Sequence, residues 1–171
     1  MTMSPNKLTR IALLVVIAAS IQYLENIIYL PVTFPGVKFG FANIITLICV
    51  YYLDYSSAIA VAVLRALLGS LISGVLFSPQ MVMSVAGALA SALIMIILRK
   101  YSNNYFSPIG ISVAGAFVHI LAQLFVVAVV IGSFSIYYYL PVAGNLSIAT
   151  GVLNGYAFIK IRPAVNRIFA L

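Results

Sequence analysis

The residues able to do chemistry are few. Glu25 and Asp54 are the only acids, His119 the only histidine and Cys49 the only cysteine. No pair of aspartate-rich motifs is present to hold the magnesium ions of a prenyl synthase. No Gly-x-x-x-x-Gly-Lys-Ser/Thr loop is present to cradle a nucleotide. One histidine and one cysteine do not make a zinc site, and a Ser–His–acid triad would need His119 beside one of two acids. The residues therefore predict a protein without catalysis, metal or cofactor. What they offer is binding. Arg65 stands nine residues into an apolar run that begins near Ser56. An arginine at mid-membrane depth costs ~2.5–3.5 kcal/mol on insertion scales and normally faces a cavity or a partner. It reads either as the cation for an anionic ligand, or as half of a structural pair with Glu25 or with backbone carbonyls. Glu25 in turn reads as a partner of Arg65 or Lys38, or as a residue snorkelling to the interface. His119 and Gln123 are four apart and share one helix face, either lining a pocket or serving as structural polar groups. Asn43 and Asn145 add hydrogen-bonding capacity. The candidate solute-binding set is thus Arg65, His119, Gln123, Lys38, Asn43, Glu25 and Asn145. Tyr137-Tyr138-Tyr139 reads as an interfacial aromatic belt or a stack for a planar ring, and Asn154 as glue between helices.

These groups must be positioned by membrane helices. The chain has 171 residues, of which 6% are charged and 64% hydrophobic, with a mean hydropathy of +1.19. Soluble domains are about a quarter charged, and so little charge cannot cover a surface facing water. A spanning helix takes ~20 mostly apolar residues, and six of them use roughly 120. The expectation is an all-α, polytopic membrane bundle forming one domain over 1–171. Its six helices are placed at about 8–30, 41–53, 56–76, 80–98, 108–131 and 136–159. The run Ile11–Ala19 is apolar enough for a signal peptide, but apolar character resumes in Ile21–Leu30, so an uncleaved span is the reading. The stretch Pro31–Gly40 holds two prolines and two glycines and breaks any helix. Segment 41–53 is too short to span upright by itself. Either the preceding loop extends it, or that loop re-enters the membrane, which requires shelter by protein or a cavity. Pro141 kinks the sixth segment or marks its start.

Charge predicts the orientation. With the N-terminus inside, the cytoplasmic ends carry Lys7, Arg10, Arg99, Lys100, Lys160, Arg162 and Arg167, against Lys38 outside. That asymmetry places both termini in the cytoplasm. The net charge of +7 is spent on helix ends rather than on one soluble face, so nucleic acid is not an expected partner. Small residues recur every four positions at Ser84, Ala88 and Ala92, and at Gly110 and Ala114, which lets helices approach closely.

Three motifs carry a resemblance. Pro35-Gly36-Val37-Lys38-Phe39-Gly40-Phe41-Ala42-Asn43-Ile44-Ile45-Thr46-Leu47 resembles the signature PGVKLGLANIVTL of small bacterial membrane proteins. These are known as the Gx transporter family or as component I of heptaprenyl diphosphate synthase. Leu64–Leu71 resembles their third helix, and Phe106–Gly110 with Ser112–Ala116 and His119–Gln123 their fifth. Ile120 departs from the pattern, which has asparagine after the histidine. The family is similar to the S components of energy-coupling factor (ECF) transporters. The resemblance implies six helices, capture of a vitamin or similar solute from outside, and partnership with a membrane T component and two ATPases in the bacterial cytoplasmic membrane. It makes a small anionic or aromatic solute such as a flavin the expected ligand. The alternative is a non-catalytic accessory subunit or scaffold for prenyl diphosphate or quinone synthesis. The Ala-x-x-x-Ala spacing through which helix one of S components meets the T component is missing from Ala12, Ala18 and Ala19.

Overall fold

The computed structural model describes residues 5–27, 40–101 and 105–169. Its elements are helical: α1 (Pro5–Ile27), α2 (Asn43–Tyr52), α3 (Tyr55–Ile72), α4 (Pro79–Tyr101), α5 (Pro108–Ile131), a short 3-10 turn (Phe134–Tyr139) and α6 (Leu140–Phe169). Local sequence explains several boundaries. The Asp54 carboxylate accepts from the Ser57 amide at 3.1 Å and caps α3. Ser107 accepts from the Gly110 amide at 3.2 Å and Pro108 follows at the first turn of α5, where a missing N–H costs nothing. Gly132 ends α5 in the left-handed region, at φ 66°, which glycine alone adopts without penalty. Pro141 falls in the first turn of α6, so it marks the helix start rather than a kink.

α1, α3, α4, α5 and α6 are long and apolar enough to cross a membrane. They pack in succession, α1 on α3, α3 on α4, α4 on α5 and α5 on α6, as an arc. α2 lies inside that arc and touches all five. Its ten residues rise only about 15 Å, roughly half of a ~30 Å hydrocarbon core. Seven of the ten are buried. The expected span at 41–53 is therefore a short central helix, sheltered on every side, which is the condition under which a partial span is tolerated. α6 runs ten residues beyond the expected end at 159 and contains Pro163.

The bundle buries many polar side chains among its apolar core and turns large apolar ones outward. Gln22, Asn43, Thr46, Arg65, Ser70, Ser91, Ser112, Gln123 and Asn154 are buried, while Leu13, Val16, Leu93, Ile97, Phe125 and Val129 are exposed. An apolar exterior on this scale fits lipid rather than water. Small residues set the helix spacing. Ala88 and Ala92 pack on Ala62 and Ala66 between α3 and α4. Gly151 and Gly155 bring α6 against the α5 backbone: a Cβ there would lie 2.6 Å from Val113 Cα and 2.5 Å from Ile109 Cα. Gly110 and Ala114 are only half-buried, so the stripe on α5 that packs is Ser112, Gly115 and Ala116 instead.

One end of the bundle gathers the basic residues. Lys7 pairs with Asp54 at 2.5 Å, and the Arg10 guanidinium sits 5.3 Å from the Phe169 ring. Arg99 lies 4.5 Å over the Tyr51 ring, and the Tyr52 hydroxyl bonds Asn166. The start of α1, the ends of α2, α4 and α6, and the start of α3 therefore share that end. The two described chain ends lie on the same side.

Candidate functional site

The polar groups converge where α2 begins. Gly40 takes φ 81° and its carbonyl accepts from the Asn43 amide at 2.9 Å, turning the chain into α2. Asn154 of α6 donates its Nδ2 to the same carbonyl at 3.0 Å. Asn154 thus ties α6 to this junction. Glu25, near the far end of α1, accepts the Phe41 amide and, at 3.3 Å, the Ala42 amide. These are N–H groups that a helix start leaves without intrahelical partners, and a carboxylate there also meets the positive end of the helix dipole. Glu25 is accordingly buried, which sets aside the snorkelling reading.

Arg65 enters from α3 and is 2% exposed. Its Nη2 donates to Asn43 Oδ1 at 2.6 Å and its Nη1 to Gln22 Oε1 at 3.3 Å. The Gln22 amide nitrogen in turn donates to the Ala66 carbonyl at 3.5 Å. Among the described residues both hydrogen-bond partners of the guanidinium are neutral amides, and its buried Nε–H meets no acceptor. Glu25 is near enough to act on Arg65 through its charge. His119 comes from α5 and lies flat against Gly87 of α4, where a Cβ would stand 2.9 Å from its Cε1. Gly69 makes the same kind of room for Gln22, whose Nε2 lies 2.5 Å from where a Cβ would be. Helices α3 and α4 thus each carry a glycine where a polar side chain must enter.

The result is a narrow cleft lined by Gln22, Glu25, Gly40, Arg65, Ser84 and His119, with no room as it stands for a water-sized group. Asn43 stands behind it, with Nδ2 2.8 Å from where a Cβ on Gly40 would lie. The structure therefore brings together Arg65, Asn43, Glu25 and His119 from the expected set. Gln123 shares the buried face of α5 with His119 but does not line the cleft. Asn145 does not join it: it is exposed and turns its Nδ2 onto the Pro141 carbonyl at 2.8 Å. Lys38 lies outside the described residues. Tyr138 is exposed and Tyr137–Tyr139 belong to the 3-10 turn, away from the cleft lining. Gln22 and Ser84 were not expected as lining residues. The signal for Gln22 is its place one helical turn before Glu25, on the same face of α1.

Among the described residues no group of three metal-ligating side chains occurs. The sequence profile described as heptaprenyl diphosphate synthase component I matches residues 14–161. The chain belongs to that family. No curated protein and no solved structure matches it. The match spans α2 to α5 entirely and so contains every lining residue of the cleft. In this member of the heptaprenyl diphosphate synthase component I family, the cleft joins α1 to α5 directly and α6 through Asn154.

Proposed function

We propose that the chain is a solute-binding membrane subunit, similar to the S component of an ECF transporter, that takes a small anionic solute at Arg65. One observation carries the reading. A buried arginine, bonded among the described residues to neutral amides alone and with a donor to spare, lies in a cleft between four helices and the turn into α2. Intramembrane cations are expensive and normally mark a solute pathway. As it stands the cleft has no room for a water-sized group, whereas pockets that hold drug-sized ligands measure ~300–1,000 Å3. On this reading the site widens as a solute enters. His119 is the single ring among the lining residues, so a flavin has less support here than the anionic character does. The orientation that follows puts the basic end in the cytoplasm and the cleft in the outer half. Uptake would then need a T component and ATPases, since the chain carries no nucleotide loop and no catalytic set. The test is native mass spectrometry of gently purified protein, followed by solute binding in nanodiscs. Arg65→Ala should lose the bound solute, and unchanged binding would sink the proposal.

The family's description favours a second reading, an accessory subunit or scaffold that tethers a soluble enzyme of prenyl diphosphate or quinone synthesis. Affinity purification separates the two. ATPases and a T-type membrane protein support transport, whereas a prenyl synthase without them supports tethering.

A further inference from the structure

We infer that the outer half of α1 is a gate over the cleft, with Gln22 as its latch. The inference rests on the solute-binding reading and names the element that moves when the site widens. As it stands the cleft has no room for a water-sized group, so one of its walls must shift before anything reaches Arg65. The walls are not equally fixed. Ala62 and Ala66 of α3 pack on Ala88 and Ala92 of α4. His119 of α5 lies against Gly87 of α4, and Met95 of α4 fills the place where a Cβ on Gly115 of α5 would stand. α6 meets the α5 backbone at Gly151 and Gly155, and its Asn154 fixes the Gly40 turn. Contacts this close hold α3 to α6 as one block.

α1 differs along its length. Its first half is anchored by apolar burial: Ile11, Val15 and Ala18 belong to the main core cluster, and Lys7 and Arg10 add contacts to Asp54 and Phe169. Past Ala19 the buried side chains described on α1 are polar, Gln22 and Glu25, and Ile21 is half-buried, while Tyr23, Leu24 and Ile27 are exposed. Gln22 holds this half to α3. Its Oε1 accepts from Arg65 Nη1 at 3.3 Å and its Nε2 donates to the Ala66 carbonyl at 3.5 Å, in a notch that exists because residue 69 is glycine. Glu25 holds it to the turn into α2. Apolar burial has no substitute once lost, whereas a hydrogen bond is exchanged at small net cost when water or a solute offers another. The outer half of α1 is therefore the wall that yields, and release of Gln22 uncovers a donor of Arg65.

The test uses the full chain in nanodiscs and needs no solute. Ser84→Cys places a thiol on the α4 wall of the cleft, and its rate of modification by a small water-soluble methanethiosulfonate reports opening. The native Cys49, fully buried in the core, reports general loosening in the same sample, and peptide mass spectrometry separates the two sites. Gln22→Ala should raise the Ser84→Cys rate about tenfold, the effect of about one net hydrogen bond, and leave Cys49 unreactive. Gly69→Ala should do the same, because its methyl meets the flexible Gln22 side chain and pushes the amide off α3. It keeps the test open should Gln22→Ala fail to fold. Spin-label distances locate the motion. Leu24→Cys with Val130→Cys joins the outer ends of α1 and α5, and Leu13→Cys with Ile97→Cys joins the halves of α1 and α4 nearer the basic end, all four positions being exposed. In either latch variant the first distance should lengthen and the second stay fixed. Lengthening of both, or a rise in Cys49 reactivity alongside Ser84→Cys, means that α1 or the bundle loosens as a whole and overturns the gate. An unchanged Ser84→Cys rate, or an unchanged outer distance, overturns it too. Either failure leaves the solute-binding reading standing, to be judged by its own Arg65→Ala test.

Discussion

Arg65 and Glu25 share a cleft yet serve different masters. Arg65 is held by side-chain amides from α1 and α2, while Glu25 stitches α1 to the first turn of α2. Substitutions should separate the two roles. Glu25→Gln keeps an acceptor for the Phe41 and Ala42 amides but gives up the charge at the helix start. It should cost ~0.3–1 kcal/mol, and Glu25→Ala, which orphans both amides, ~1–3 kcal/mol more, measured by thermal or denaturant unfolding in detergent. Gly87→Ala drives a Cβ into the His119 ring, which fills its space with little freedom to move. A loss of ~1–3 kcal/mol is expected from that overpacking, and stability equal to the parent protein would show that His119 is not locked there. Arg65, Asn43, Glu25 and His119 were legible in the sequence, because a polar group in an apolar run is expensive enough to stand out. Gln22 and Ser84 were not. Glutamine near a predicted helix end and serine on a small-residue stripe are ordinary, and only tertiary contacts aim them inward. Asn145 misled for the opposite reason. Its amide is satisfied one turn back on its own helix, and composition does not reveal such a local bond.

At the scale of elements, α2 decides the architecture. Its shortness followed from the prolines and glycines before it, but its central place did not. A mostly apolar helix of ten residues reads alike whether it lies at the rim or at the middle of a bundle. The α5–α6 contact was also missed, although Gly151 and Gly155 are four apart on one face. Because backbone lies opposite both glycines, no rotamer change relieves an added side chain. Gly151→Leu or Gly155→Leu should cost ~2 kcal/mol or more and weaken the bundle in thermal unfolding far beyond Gly74→Ala, where open space surrounds the residue. The junction of α2 and α3 gives a pH signature. The hydrogen bond from Lys7, with help from Ser57, holds the Asp54 carboxyl down at about 2. A carboxyl lowered when folded stabilises the fold above its unfolded value of ~3.9, and that contribution is lost as pH falls through about 4 to about 2. The pair is half-exposed, so it is worth at most ~1 kcal/mol. Asp54→Asn keeps an N-cap side chain but should flatten the acid limb of Tm against pH. An unchanged limb would mean that the Lys7 contact contributes nothing.

For the whole molecule, topology and charge make one joint claim. The contacts Lys7–Asp54, Arg10–Phe169, Arg99–Tyr51 and Tyr52–Asn166 put both described chain ends at the same end of the bundle. That end also carries the basic residues of α1, α4 and α6, and such residues remain on the cytoplasmic side during insertion. The cleft begins at the opposite ends of α1 and α2, so it should open away from the cytoplasm, as capture of an external solute demands. Cysteine labelling checks this directly, because the native Cys49 is fully buried and gives little background. In right-side-out vesicles a membrane-impermeant maleimide should modify Ser135→Cys, in the turn between α5 and α6. It should spare Lys100→Cys and Arg167→Cys until the vesicles are opened. Labelling of Lys100→Cys and Arg167→Cys on opposite sides would break the topology itself. Labelling of both from outside would keep the fold but invert it, turning the cleft toward the cytoplasm and removing the case for uptake.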